Sequence, residues 1–176
     1  MEPDTLPRWE VFKQDAPGKP HQAVGSVHAA SSRHALLSAR SVFARRPSAV
    51  SLWVAPADEI TSRTAEELAA NPPVRTDAHP AEREPYLAFR KASARRSMIF
   101  TDYVGAVAAA SPEDALARAL AEFPEPPALV WWVLPARSIL QSDPDDQTVE
   151  SWFAPAKDKT YKQQSAYGTV GGRRGE

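Results

Sequence analysis

Bulky apolar residues open the first pattern of the chain at Trp9-Glu10-Val11-Phe12, a composition that favours extended backbone. After the turn-forming stretch QDAPGKP, residues 23–29 alternate, with Val24, Ser26 and His28 on one face and Gly25, Val27 and Ala29 on the other. The pair predicts an antiparallel β-hairpin with a long connection. The period then changes from 2 to 3.6. Ala35, Leu36, Ala39 and Phe43 fall on one helical stripe behind Ser31, a residue type that caps helix N-termini. Pro47 stops the helix, and VSLWVAP (50–56) predicts a third strand ended by a turn at ADEI.

The same order is written a second time. Shifted by 80 positions, Val24, Gly25, Val27, Ala29, Ala30, Ser31, Ala35, Leu36, Ala39 and Phe43 recur as Val104, Gly105, Val107, Ala109, Ala110, Ser111, Ala115, Leu116, Ala119 and Phe123. One residue is lost in the next turn, and WVAPADEI (53–60) then lies over WVLPARSI (132–139). Alanine matches carry little information, but the repeated Val-Gly, Phe, Trp-Val and Pro positions are not alanine. The second helix has the plainer start: Ser111 as cap, Pro112 at the first helical position, then Glu113 and Asp114 where the helix dipole favours acids. LVWWVLP (129–135) is apolar on both faces, as a strand covered on both sides would be.

The pattern predicts an α+β chain of two tandem β-β-α-β units, each a small antiparallel or mixed sheet carrying one helix. The first repeat spans 8–62 and the second, less regular one 86–141. A Pro- and charge-rich linker at 63–85 joins them, with one helical turn expected at TAEELAA, and a C-terminal arm occupies 142–176. A sheet with a helix on one face leaves the other bare. Packing the two units sheet-to-sheet, or joining them edge-to-edge, would cover that face and make a pseudo-dimer within one chain.

Composition and charge narrow the chemistry. The chain has 176 residues, 43% of them apolar, and a formal net charge of −1, which gives no electrostatic footprint for nucleic acid or an anionic membrane. It contains no cysteine, so thiolate nucleophiles, disulfides, iron–sulfur clusters and Cys-ligated zinc are excluded. No basic and apolar leader and no apolar run of membrane length is present, so a cytoplasmic location is expected. Positions kept in both copies are packing residues, whereas the reactive types differ: His28 lies over Ala108 and His34 over Asp114. His28 therefore reads first as a polar strand residue, and a metal cluster of His21, His28 and His34 is disfavoured because His34 sits on the helix. The glycines of GTVGGRRGE lack a strand–turn–helix context and read as a chain terminus. Five tryptophans are a rich supply. Trp53 and Trp132 match across the repeat and read as core. Trp9 and the pair Trp152-Phe153 are harder to hide, and the arm around them either packs back on its own sheet or covers a partner surface.

WEVF, VGSVHAASSRHALLSARSVFARR and SLWVAPADEI together resemble the PaaB family, the B subunits of the bacterial multicomponent phenylacetyl-CoA epoxidase, and FAPAKDKTYK resembles the ending of that family. The first copy, with Glu10, His28, Arg45 and Arg46, is the closer match. The second lacks the His and the Arg-Arg pair, yet the family-like tail follows it. The resemblance implies a non-catalytic bridging subunit without a cofactor of its own, bound to a di-iron A subunit and a C subunit. The residues it offers for that interface are Trp9, Glu10, His28, Arg45, Arg46, Trp152, Phe153 and Tyr161. Two other functions fit the residues: a stand-alone binding or regulatory module for aromatic acids or CoA esters, and a small cofactor-independent enzyme. The enzyme would need His28 and a Trp converging on a pocket.

Overall fold

The computed structural model describes residues 5–44, 49–94, 101–143, 145 and 152–154. In the first repeat β1 (Arg8–Gln14) and β2 (Gln22–His28) form the hairpin, α1 (Ser32–Phe43) follows, and β3 (Ser51–Pro56) lies antiparallel on the other side of β1. The second repeat has β5 (Glu84–Lys91), β6 (Asp102–Ala109), α3 (Pro112–Glu122) and β7 (Val130–Pro135) in the same relation. The fold is α+β, two tandem β-β-α-β units. Ser31 and Ser111 accept hydrogen bonds from the amides of His34 and Asp114, so each cap is the one its sequence proposes.

The repeated Val-Gly and Phe positions share one cause. Both hairpins carry a register shift at the same place, between Val11 and Phe12 and between Ala88 and Phe89. Facing that bulge, Gly25 and Gly105 have φ of 146° and 156°. A Cβ at Gly25 would stand 2.9 Å from the Phe43 ring, and one at Gly105 would stand 2.4 Å from the Phe123 ring. The aromatic residue that closes each helix lies on bare strand backbone, which only glycine supplies. The duplicated phrase is scaffold.

Neither unit ends at its third strand. A 3-10 turn, Ala57–Glu59, leads into β4 (Thr61–Thr64), which crosses to the second repeat and pairs with β7. In the same way Ala136–Ser138 leads into β8 (Leu140–Gln141), which pairs with β3 of the first repeat. The sequence pattern sets the end of each unit at these turns and gives no sign of the exchange. β4 is the polar run Thr-Ser-Arg-Thr and β8 is only two residues long, so neither shows strand periodicity. The described strands form one sheet in the order β4-β7-β5-β6-β2-β1-β3-β8.

The halves meet both by edge and by face. At the edge, the amide of Ala23 donates to the Thr101 carbonyl at 2.9 Å and the amide of Tyr103 donates to the His21 carbonyl at 2.8 Å. The repeat offset interchanges these two bonds, so an approximate two-fold axis passes between them. At the face, Phe12 of β1 and Phe89 of β5 lie in different halves of the sheet order, yet their ring centroids are 4.3 Å apart. The sheet therefore curls over itself. Phe12, Ala23, Ala55, Phe89 and Leu134 are buried between the halves, with Trp53, Tyr103 and Trp132 packed against them. The outer faces are closed by α1 over Val11, Leu52 and Val54, and by α3 over Ala88, Trp131 and Val133. β7 is thus covered on both sides, as its composition predicts. Each buried Phe or Leu contributes roughly 1.5–3 kcal/mol to this layered arrangement.

The segment read as a linker is laid along the second repeat. Thr64 and Glu67 form a capping box that starts α2 (Ala65–Ala70), and Leu68 joins the core under α3. Further on, the amide of Thr76 donates to Asp114 Oδ1 at 2.9 Å, and Arg118 Nη2 donates to the Thr76 carbonyl at 3.0 Å. Asp114 is fully buried and also accepts from the Ala110 amide and from Arg118 Nε. Burial pushes its carboxyl up, but the bonds from Arg118, Thr76 and Ala110 outweigh that and hold it below the usual carboxylate range. Asp114 stands where the first repeat has His34.

Candidate functional site

The start of β1 gathers three of the residues singled out in the sequence. The register sets Arg8 opposite His28, Trp9 opposite Val27 and Glu10 opposite Ser26. Trp9 faces α1 and is half-buried, and its indole N–H donates to the Ala29 carbonyl at 2.9 Å. Glu10 points the other way, toward the rim of the layer between the halves, and pairs with Arg8 at 3.3 Å. Burial raises its carboxyl above the ordinary value, and the neighbouring Arg8 guanidinium opposes that rise. In the second repeat the same position is Leu87, an apolar part of that layer. His28 is exposed, with Nδ1 2.8 Å from the Leu6 carbonyl. Beside them an open depression of about 490 Å3 is lined by Pro7, Arg8, Ala57 and Asp58.

Trp152 and Phe153 lie elsewhere, over α1. Phe153 is 1% exposed and belongs to the first repeat's core, together with Leu36, Ala39 and Leu52. Trp152 is half-buried, edge-on to Phe153, and the Arg40 guanidinium lies 5.0 Å from its ring centroid. Arg40 Nη1 also donates to the Trp152 carbonyl at 3.1 Å. Residues 152–154, which follow the less regular repeat in sequence, thus lie on the other repeat in space. Arg45, Arg46 and Tyr161 lie outside the described residues. Arg8 and Arg40 escaped the sequence reading, since nothing local marks the first as a partner for Glu10 or the second as a seat for a tryptophan 112 residues away.

The space between the halves is filled. His21 stacks on Trp53 with centroids 3.6 Å apart, its Nε2 is 2.9 Å from Ser51 Oγ, and burial pushes its pKa down to about 4. Trp53 in turn meets Tyr103 edge-on. Trp53 thus packs with His21 and Tyr103 in this layer, whereas His28 is exposed at the start of the hairpin, beside Arg8 and near Trp9. Among the described residues no group of three or more His, Cys, Asp or Glu side chains is placed to hold a metal ion. No helix among them is long and apolar enough to cross a membrane.

A family model described as PaaB, phenylacetic acid degradation B, matches the chain twice, at residues 5–97 and 86–174. The chain belongs to the PaaB family. Each match extends past β3 or β7 into the residues that form the exchanged strand, so the PaaB unit includes the element that crosses over. A curated relative, the B subunit of the 1,2-phenylacetyl-CoA epoxidase of Escherichia coli (strain K12), is 44% identical over 61 residues, which are 35% of this chain and 64% of that protein. The chain thus spans less than two thirds of that relative's length. No solved structure matches the chain. The chain is thus a PaaB protein in tandem form, similar over part of its length to one subunit of an epoxidase.

Proposed function

We propose that this PaaB chain is a non-catalytic, bridging component of a multicomponent phenylacetyl-CoA epoxidase, working in the cytoplasm, and that its partners are the di-iron A subunit and the C subunit. The observation that carries the reading is the double PaaB match together with the 44% identity to the B subunit of an epoxidase. The filled layer between the halves supports it, since the positions kept in both copies are spent on packing rather than on a reaction. The contact surface is assigned to the first repeat, around Trp9, Glu10 and His28 at the start of β1, with Arg45, Arg46 and Tyr161 contributing. Trp152 and Phe153 act there indirectly, seated over α1, where Arg40 holds the Trp152 carbonyl and faces its ring.

The test is light scattering on a sizing column of the purified chain, alone and mixed with the A and C subunits from the same operon, with epoxidase turnover measured in parallel. A co-eluting complex whose turnover depends on this chain is expected. A further expected result is weaker assembly with Arg45→Ala/Arg46→Ala and with Glu10→Ala. A chain that stays alone, or turnover that is the same without it, would refute the bridging role.

A further inference from the structure

A cleft of about 350 Å3 opens on the second repeat, between α3, β6 and the segment that leads into β5. Val107, Ala108 and Ala121 give it an apolar floor, and Arg75, Arg83, Arg118 and Glu122 give it a polar wall. Its size is at the small end of ligand sites. The first repeat has no counterpart: the positions equivalent to Ala108, Arg118 and Glu122 are His28, Ser38 and Val42. The cleft is therefore a feature of this half and not a by-product of the shared scaffold.

Two of the three guanidinium groups are fixed by the protein. Arg118 is held by Asp114 and by the Thr76 carbonyl, at 2.9 and 3.0 Å. Arg83 donates from Nη2 to the Ala78 carbonyl at 2.8 Å. Donors are left over. Arg83 Nε is buried without an acceptor, and Arg75 is exposed with no partner among the described residues. A buried donor without an acceptor is uncommon, and a guanidinium presents paired N–H groups suited to an oxyanion. We infer that this cleft binds a phosphate group carried by a small organic molecule. The unused N–H groups of two guanidiniums exceed what the two oxygens of one carboxylate take, whereas a terminal phosphate offers three strong acceptor oxygens. The apolar floor takes the organic part, and Glu122 at the rim is an acceptor for a donor on it. This inference stands apart from the bridging role and does not depend on it.

Isothermal titration of the full chain at low ionic strength tests it, with pyrophosphate, ADP and citrate as probes. The expected result is saturable binding of pyrophosphate or ADP, weakened about tenfold in Arg75→Gln, where one charge-assisted contact is lost. Arg75 is exposed and has no partner among the described residues, so this variant keeps its fold, which an unchanged thermal transition verifies. Arg83→Gln is expected to lose binding further. No saturable binding of either phosphate probe would overturn the inference, as would equal affinity in Arg75→Gln. Citrate binding as tightly as the phosphates would overturn it too, because the cleft would then read charge alone. The titration involves no other protein, so its failure leaves the bridging role untouched.

Discussion

Gln22 Nε2 donates to Asp102 Oδ1 at 2.6 Å, and these two residues occupy the same position in the two repeats. They meet where the pseudo-two-fold axis crosses the joint between β2 and β6. A dimer of identical units would bring like against like there. In this single chain one is a donor and the other an acceptor. Gln22→Asp would set two carboxylates face to face and cost about 1 kcal/mol at pH 7, the scale of a like-charge cross-strand pair. Urea denaturation should show the cost, and added salt should shrink it by screening the two charges. Asp102→Gln, which leaves two amides, should cost less.

The Gly–Phe contacts differ between the copies in a way that unfolding measurements can resolve. The hypothetical Cβ is 2.4 Å from Phe123 at Gly105 but 2.9 Å from Phe43 at Gly25. Overpacking of this kind typically costs about 1–3 kcal/mol. Gly105→Ala is expected near the top of that range and Gly25→Ala lower. Pairing Gly105→Ala with Phe123→Leu should recover part of the loss, which a double-mutant cycle would read as coupling.

His21 supplies a pH dependence. Its imidazole is buried and neutral down to about pH 4, while in the unfolded chain it takes a proton near its ordinary value of about 6.5. The folded pKa is the lower one, so the unfolded state alone gains a proton between these values. Stability is full above about pH 6.5 and falls as the pH drops toward 4, by at most about 3 kcal/mol. His21→Phe keeps a ring against Trp53 and should flatten the midpoint of urea unfolding across that window, while losing the bond to Ser51.

Asp114 acts in a lower window. Its folded pKa is depressed, so the stability it gives is present above the ordinary carboxyl value near 4 and is lost as the pH falls below that. Asp114→Ala removes an acceptor from Arg118 and from the amides of Thr76 and Ala110 together. The expected cost is about 3 kcal/mol, as for breaking a buried charge pair. Hydrogen exchange should show the amide of Thr76 losing protection, with α1 of the other repeat unaffected.

Hairpins, helices and caps were legible in the sequence because local signals agree there. Ser31 and Ser111 begin helices as expected, and Trp131-Trp132 marks a strand covered on both sides. The crossings of β4 and β8 were not legible. Their identity comes from the strand they join, and Thr61–Thr64 carries no apolar residue to declare a face. For the surface, the sequence offered Trp9, Glu10, His28, Arg45, Arg46, Trp152, Phe153 and Tyr161 without placing them, and the β1–β2 register sets the first three near one end of the hairpin. It left Phe153 either to pack back on its own sheet or to cover a partner, and the structure buries it in the first core, a long-range contact that nothing near residue 153 encodes.

The exchange of β4 and β8 inverts the ordinary geography of damage along a gene. A frameshift or stop just after Pro135 would leave every strand of the second half in place except those residues that belong, physically, to the first. The lost β8 and the lost Phe153 would open the edge of β3 and the core under α1, more than 80 residues upstream of the lesion. A lesion in β4 would likewise strike β7, which lies far downstream of it. Damage to either copy is therefore damage to both halves of the sheet.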